Sequence, residues 1–314
     1  MTITLAVACR NPVSLEEGSF NPVQEPILAR IPTATKVVEH ALGQVKIPLH
    51  PQRVVVMDGN IFLDPVLALG VKPVGIAPCS DCLEGHSGID SSLTANIPDV
   101  GDEQPSLEKI LQLKPDLILL HKYQQRIYPQ LSAIAPTVVI DSDSEVDFEK
   151  NIRYIAQLLG KVDRVEAVLS EYRNKVKQLR QQLEPRSKTQ RISVIQISGS
   201  NIYSLKPGLF PSDQILIDAG LQFLESQEQQ QDPFLPVSLE ALLNYDADIL
   251  FVIVVWKRDA ENLSSLSFLK HPIWSTLKAV QNNRIYAVQW AGIGGTIGAD
   301  RVLSDLYKYL VKDF

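Results

Sequence analysis

The chain has 314 residues, 45% of them hydrophobic and 21% charged, with a formal net charge of -6. That length suits about two domains with a sizeable core. The acidic balance argues against a nucleic-acid surface, which needs a basic footprint. No apolar run reaches the roughly 18 residues that a membrane-spanning helix requires.

The first stretch, residues 1–34, reads as a flexible leader: "RNPVSLEEGSFNPVQEPILARIPTA" is rich in Pro, Ser and Glu and has no period. Cys9 follows the small-residue run "ITLAVA". It reads either as the cysteine of a lipoprotein signal whose start lies upstream or as a chance likeness. The run lacks a basic n-region and is short for an apolar h-region. "KVVEHALGQVKIP" (Lys36–Pro48) is a hairpin-like opening.

An α/β rhythm follows. "RVVVM" (Arg53–Met57) is a β-branched run expected of a strand buried on both faces. "IFLDPVLALG" is a short helix ended by Gly70, and "KPVGIAP" carries the next strand. Cys79 and Cys82 in "PCSDC" have three readings: a small loop disulfide, a metal half-site, or two unrelated thiols. The absence of a second CxxC and of paired histidines weighs against the metal. "SLEKILQL" is a helix, "DLILL" a strand, "QQRIYPQLSAI" helical despite Pro129, and "TVVI" (Thr137–Ile140) a strand. Such alternation predicts a mostly parallel sheet covered by helices.

From Val146 to Leu183 no strand is predicted. Ile152, Ile155, Leu159, Val162, Val165, Leu169, Tyr172, Val176 and Leu179 keep helical spacing. Some 35 residues would make a rod of roughly 50 Å, with Gly160 a candidate break. After Pro185 the rhythm restarts with the strand "RISVIQIS" (Arg191–Ser198) and the helix "PSDQILIDAG", ended by Gly220. "SLEALLNY" is a helix, "DILFVIVV" a strand, and "ENLSSLSFL" and "PIWSTLKAV" are short helical segments. "RIYAV" (Arg284–Val288) is a strand and "GTIGADRVLSDLYKYLV" a closing helix. The expected layout is leader 1–34, lobe 35–145, backbone helix 146–185 and lobe 186–314.

The two lobes echo one another. Ser106, Leu107, Glu108 and Asp116 match Ser238, Leu239, Glu240 and Asp248 at one constant offset, each set a helix start followed by a strand start. Duplication and convergent αβ patterning both account for it. The shared Ser-Leu-Glu and the shared Asp favour the former.

These phrases, with "PQRVVVMDGNIFLDPVLALGVKPVGIAP", "IPDVGDEQPSLEKILQLKPDLILL", "LPVSLEALLNYDADILFVIV" and "HPIWSTLKAVQNNRIYAVQW", carry a resemblance. The chain resembles the helical-backbone class of periplasmic binding proteins, which deliver cargo to ABC-type importers, and most of all its ferric-siderophore branch. The resemblance covers about Lys36 to the C-terminus. It implies two Rossmann-like α/β lobes joined by one long backbone helix, with the ligand cleft between lobes that move little. It implies a monomer in the periplasm or cell envelope, often lipid-anchored, and an ABC-type permease in the inner membrane as partner. No GxSxG, HExxH or P-loop motif appears, so no enzyme activity and no cofactor are expected. Ser106 and Ser238 suit N-caps, which puts Glu108 and Glu240 in first turns, where a carboxylate complements the helix dipole. In the family such a glutamate on each lobe pairs with arginines of the transporter, and Glu108 and Glu240 match by position and motif.

In an open α/β sheet the ligand touches loops beyond the strands' carboxyl ends. Those loops are "DGN" with Asp58 and Asn60, the "CSDC" loop, and "HKYQQR" with His121, Lys122, Tyr123 and Arg126. In the second lobe they are "GSNIYSLK" with Ser200, Asn201, Tyr203 and Lys206, "WKRD" with Trp256, Lys257 and Arg258, and "WAGIGG" with Trp290. Aromatic rings and basic groups converge there on an acidic protein. They suit a large anionic ligand with apolar faces, such as a ferric siderophore. The structural alternative is solvated loop cations, with Trp256 or Trp290 filling the core. The five histidines are scattered, so the iron is expected inside its chelator and no metal ligand is assigned.

Two rivals remain open. The same fold could carry cobalamin or haem; cobalamin would not need the basic cluster, and haem invites an iron ligand such as His121 or Tyr123. "GIGGTIG" (Gly292–Gly298) resembles a dinucleotide fingerprint and hence an α/β enzyme. That reading is disfavoured because no strand with an acidic residue follows. The glycines are expected to permit close backbone approach instead.

Overall fold

The computed structural model describes residues 34–312 apart from 60, 79–87, 103, 142–146, 200, 209 and 255–269. Residues 1–33 of the leader with Cys9, and Asn60, Cys79, Cys82, Ser200, Trp256, Lys257, Arg258 and all of "ENLSSLSFL", lie outside the described residues. The first lobe opens with the antiparallel hairpin β1 (Thr35–His40) and β2 (Gly43–Pro48). It continues with β3 (Val54–Val56), α1 (Leu63–Ala68), β4 (Gly75–Ile76), α2 (Ser91–Thr94), α3 (Leu107–Gln112), β5 (Leu117–His121), α4 (Tyr128–Ser132) and β6 (Thr137–Ile140). The four strands β4-β3-β5-β6 form one wholly parallel sheet. Every residue of β3, β5 and β6 is buried, as continuous apolar runs require of a sheet covered on both faces. Pro129 is tolerated because it stands in the first turn of α4, where no N–H is needed.

The helical stretch is not one rod. It is α5 (Phe148–Leu159) and α6 (Val162–Ser187). Gly160 ends α5 in the left-handed region at φ 66, and the chain folds back there. Glu149, at the start of α5, pairs with Arg173, far along α6, while Arg153 pairs with Glu166. The two helices therefore run antiparallel. The helix joining the sheets is α6 alone, about 39 Å long at 1.5 Å per residue. Apolar spacing continues through Gly160 because both helices bury one stripe in the same core, which spacing alone does not distinguish from one straight helix.

The second lobe comprises β7 (Arg191–Ser198), β8 (Asn201–Leu205), α7 (Pro211–Asp218), β9 (Gln222–Phe223), α8 (Glu225–Glu228), β10 (Phe234–Val237), β11 (Ile249–Val254), α9 (Pro272–Thr276), α10 (Lys278–Gln281), β12 (Ile285–Val288) and α11 (Thr296–Tyr307). Its sheet runs β10-β8-β7-β11-β12, with β9 beside β7. β7, β9, β11 and β12 are parallel, whereas β8 turns back antiparallel to β7 and β10 pairs antiparallel with β8. One hydrophobic core runs through both sheets and α6, from Val54 and Leu119 through Leu169 and Tyr172 to Ile192, Phe251 and Trp290.

The echo has a structural basis. The Asp116 carboxylate accepts the backbone N–H groups of Gln52 and Arg53 (2.7 and 2.8 Å), and Asp248 accepts that of Arg191 (2.8 Å). In each lobe the repeated aspartate ties the start of one strand to the start of its neighbour, while its own N–H donates to the arginine's carbonyl. The dipeptide Gln-Arg recurs before the first parallel strand of both lobes, at Gln52-Arg53 and Gln190-Arg191. The repeat is thus longer than the Ser-Leu-Glu phrase.

Candidate functional site

The loops beyond the carboxyl ends of the two sheets meet. Ile61 follows β3 and Gly294 follows β12, and a Cβ on Gly294 would lie 2.2 Å from the Ile61 carbonyl oxygen. The carboxyl edges of the two sheets therefore face one another across this contact.

The first lobe supplies the residues after β5. His121 is 2% exposed, its ring stacked on Phe62 (5.3 Å between centroids) and tilted against Tyr123 (4.5 Å). Its Nδ1 accepts the Tyr123 N–H, so it starts the following 3-10 turn, Lys122–Ile127. Tyr123 is 62% exposed and presents its ring outward. Lys122 pairs with Asp141 at 2.5 Å, and Arg126 is exposed. A basic and aromatic ledge thus stands on a buried histidine base.

Other predicted residues serve the framework. Asp58 is 6% exposed, and its Oδ1 accepts the N–H groups of Ile61 (2.6 Å) and Phe62 (3.4 Å), fixing the turn into α1. Trp290 is 1% exposed, packs on Phe251 at 4.8 Å, and donates its Nε1–H to Asp305 (2.9 Å). It fills the core between β11 and α11, a role that a loop position in sequence does not reveal. The "GSNIYSLK" loop is largely a strand: Asn201 and Tyr203 lie in β8, Tyr203 half-buried, and because β8 runs back antiparallel along β7, Lys206 is carried away from the carboxyl edge where the loop reading placed it. Among the described residues, then, Lys122, Tyr123, Arg126 and Asn201 retain at least partly exposed side chains at these edges.

Glu108 and Glu240 occupy equivalent places. Ser106 Oγ accepts the Lys109 N–H (3.3 Å) and starts α3. Its backbone is linked through Val100 to Ile76, the end of β4. Ser238 Oγ accepts the Ala241 N–H (3.2 Å) and starts a 3-10 turn, Glu240–Tyr245, where an α-helix was expected. It follows β10, whose Val237 pairs with Ile202, itself opposite Ile197 near the end of β7. Both glutamates are exposed at the carboxyl edge of their sheets. The Glu240 carboxyl is held below the usual glutamate range by its own backbone N–H and the Ser238 hydroxyl, with help from His271. Among the described residues no group of three or more His, Cys, Asp and Glu side chains could hold a metal ion.

Sequence reasoning missed Asp64. It is fully buried in the first turn of α1, yet its carboxylate reaches the other lobe. Oδ1 accepts the Ile297 N–H (3.1 Å) and Oδ2 the Gly298 N–H (2.7 Å), the first turn of α11. The available signal was the acid inside the apolar phrase "IFLDPVLALG".

Comparison with known proteins gives concordant results. The profile of the family described as periplasmic binding protein matches residues 68–289. The chain is 30% identical to the achromobactin-binding periplasmic protein of Dickeya dadantii over 267 residues, covering 82% of this chain and 86% of that one. It is 32% identical to a probable siderophore-binding lipoprotein, YfiY, of Bacillus subtilis over 299 residues, covering 88% of each. Its structure resembles that of Staphylococcus aureus SirA complexed with staphyloferrin B, with a TM-score of 0.73 and 27% identity over 88% of this chain and 98% of that one.

Proposed function

This chain belongs to the periplasmic binding protein family, and from that premise we propose that it captures a ferric siderophore outside the cytoplasm and delivers it to an ABC-type importer. The observation that carries the reading is agreement over most of the chain with relatives that bind such cargo by name, 30–32% identical. The site chemistry supports it. Arg126 offers charge-assisted donors to the oxygens of an anionic chelate, Lys122 stands beside it while pairing with Asp141, and the exposed Tyr123 ring offers an apolar face. Trp256, Lys257 and Arg258 would add the same chemistry from the second lobe. Such a site binds its cargo without transforming it, and the iron arrives already chelated.

Glu108 and Glu240 are the docking pair in this reading, one exposed carboxylate per lobe on the cleft side. Reversing both to Arg is expected to abolish uptake of the ferric chelate in a strain lacking its own copy, while calorimetric affinity stays within about twofold. Lost affinity, or full uptake, would defeat the assignment. In the same reading Cys9 carries a lipid anchor, and Cys79 and Cys82 close a loop disulfide. Mass spectrometry of protein from the native host tests the anchor, which is refuted by an unmodified Cys9 in the mature chain.

A further inference from the structure

The glycine-rich phrase that resembles a dinucleotide fingerprint has another use. Helix α11 begins at Gly295, which supplies no side-chain cap. The first N–H groups of a helix need acceptors. Here the acceptor comes from the other lobe: Asp64 of α1 takes the N–H groups of Ile297 and Gly298. Gly295 is glycine for a matching reason. Its backbone is extended, so conformation does not demand glycine, but a Cβ would lie 2.5 Å from Asp64 Oδ1. Gly294 abuts the Ile61 carbonyl, and Gly88 of the first lobe lies against Gly298, where a Cβ would come within 3.0 Å of its Cα. Three glycines of the second lobe are therefore pressed onto the first lobe around one buried carboxylate. On the outer side Asp300 of α11 pairs with Lys175 of the backbone helix at 2.7 Å. So α1, α6 and α11 are joined at this point.

We propose that Asp64 is an interlobe latch: by capping α11 in trans it fixes the segments that carry Ile61 and Gly294 at one separation, and so acts as a positioning residue for the cleft. A latch of this kind makes a preformed site, which lowers the ordering cost of binding.

The test is hydrogen exchange by mass spectrometry on the full, ligand-free chain, so the result does not depend on which cargo the protein carries. Asp64→Ala is expected to speed exchange about tenfold or more in peptides spanning both 58–62 and 293–300, with β5 and β11 unchanged. The double variant Asp64→Ala/Gly295→Ser restores a cap within α11 itself. It should recover protection at 297–298 but not at 58–62. Gly294→Ala keeps Asp64 and wedges the lobes apart, so it should also expose 58–62, even if Asp64→Ala does not fold. The proposal is overturned if the cap within α11 restores both segments, since Asp64 would then only start a helix. It is equally overturned if Gly294→Ala leaves 58–62 as protected as in the wild type.

Discussion

A carboxyl group as deep as that of Asp64 ionises against its surroundings. Burial pushes its pKa up to about 6, although the N–H groups of Gly298, Ile297 and Gly295 oppose the shift, and Asp300 adds to it. A folded-state pKa above the unfolded value means that the native state binds more protons. The contribution of this group is therefore most favourable at low pH and is lost as pH rises through about 6. The shift corresponds to about 3 kcal/mol at most. Asp64→Asn removes the titration. Urea unfolding of the two proteins is expected to show the variant gaining on the wild type by about 2 kcal/mol between pH 4.5 and 7.5. Parallel pH curves would show that Asp64 does not titrate in this window.

The elements were largely legible because alternation of short β-branched runs with helical phrases survives in any αβ layout. β3, β5, β6, β7 and β11 fall where their runs placed them. Direction and chain reversal were not legible. β8 is a five-residue strand whose sequence, "NIYSL", reads equally as a loop, and its antiparallel pairing with β7 depends on a tight turn at Gly199, φ 60. At Gly160 the sequence offered only a candidate break, yet the chain reverses. Its φ is 66, and a Cβ would lie 2.4 Å from both the Leu49 carbonyl and His50 Nδ1. Gly160→Ala therefore meets both backbone strain and a collision, and denaturant unfolding should show a loss of about 1–3 kcal/mol. A change within 0.5 kcal/mol, the range of an ordinary surface substitution, would mean that the reversal tolerates a side chain. Site residues divide in the same way. Position after a strand identified the exposed ledge of Tyr123 and Arg126, but it could not tell them from Trp290 and Asp58. The neighbours that bury those two come from distant segments.

On the scale of the whole molecule, two lobes built on one repeated αβ unit share a single core with the helix that joins them. Such a frame holds two loop-lined edges at a set distance, which suits recognition of a rigid, bulky chelate better than closure around a small solute. The central claim is that the cargo is a ferric chelate. The most direct measurement is calorimetric titration of the purified protein with ferric citrate, a ferric hydroxamate, a ferric catecholate, cobalamin and haem, each chelate also in its iron-free form. The account predicts that one ferric chelate saturates the protein with a Kd of about 1 µM or tighter, and that its iron-free form binds at least about tenfold more weakly. Tight binding of cobalamin or haem, with no chelate bound, would contradict it.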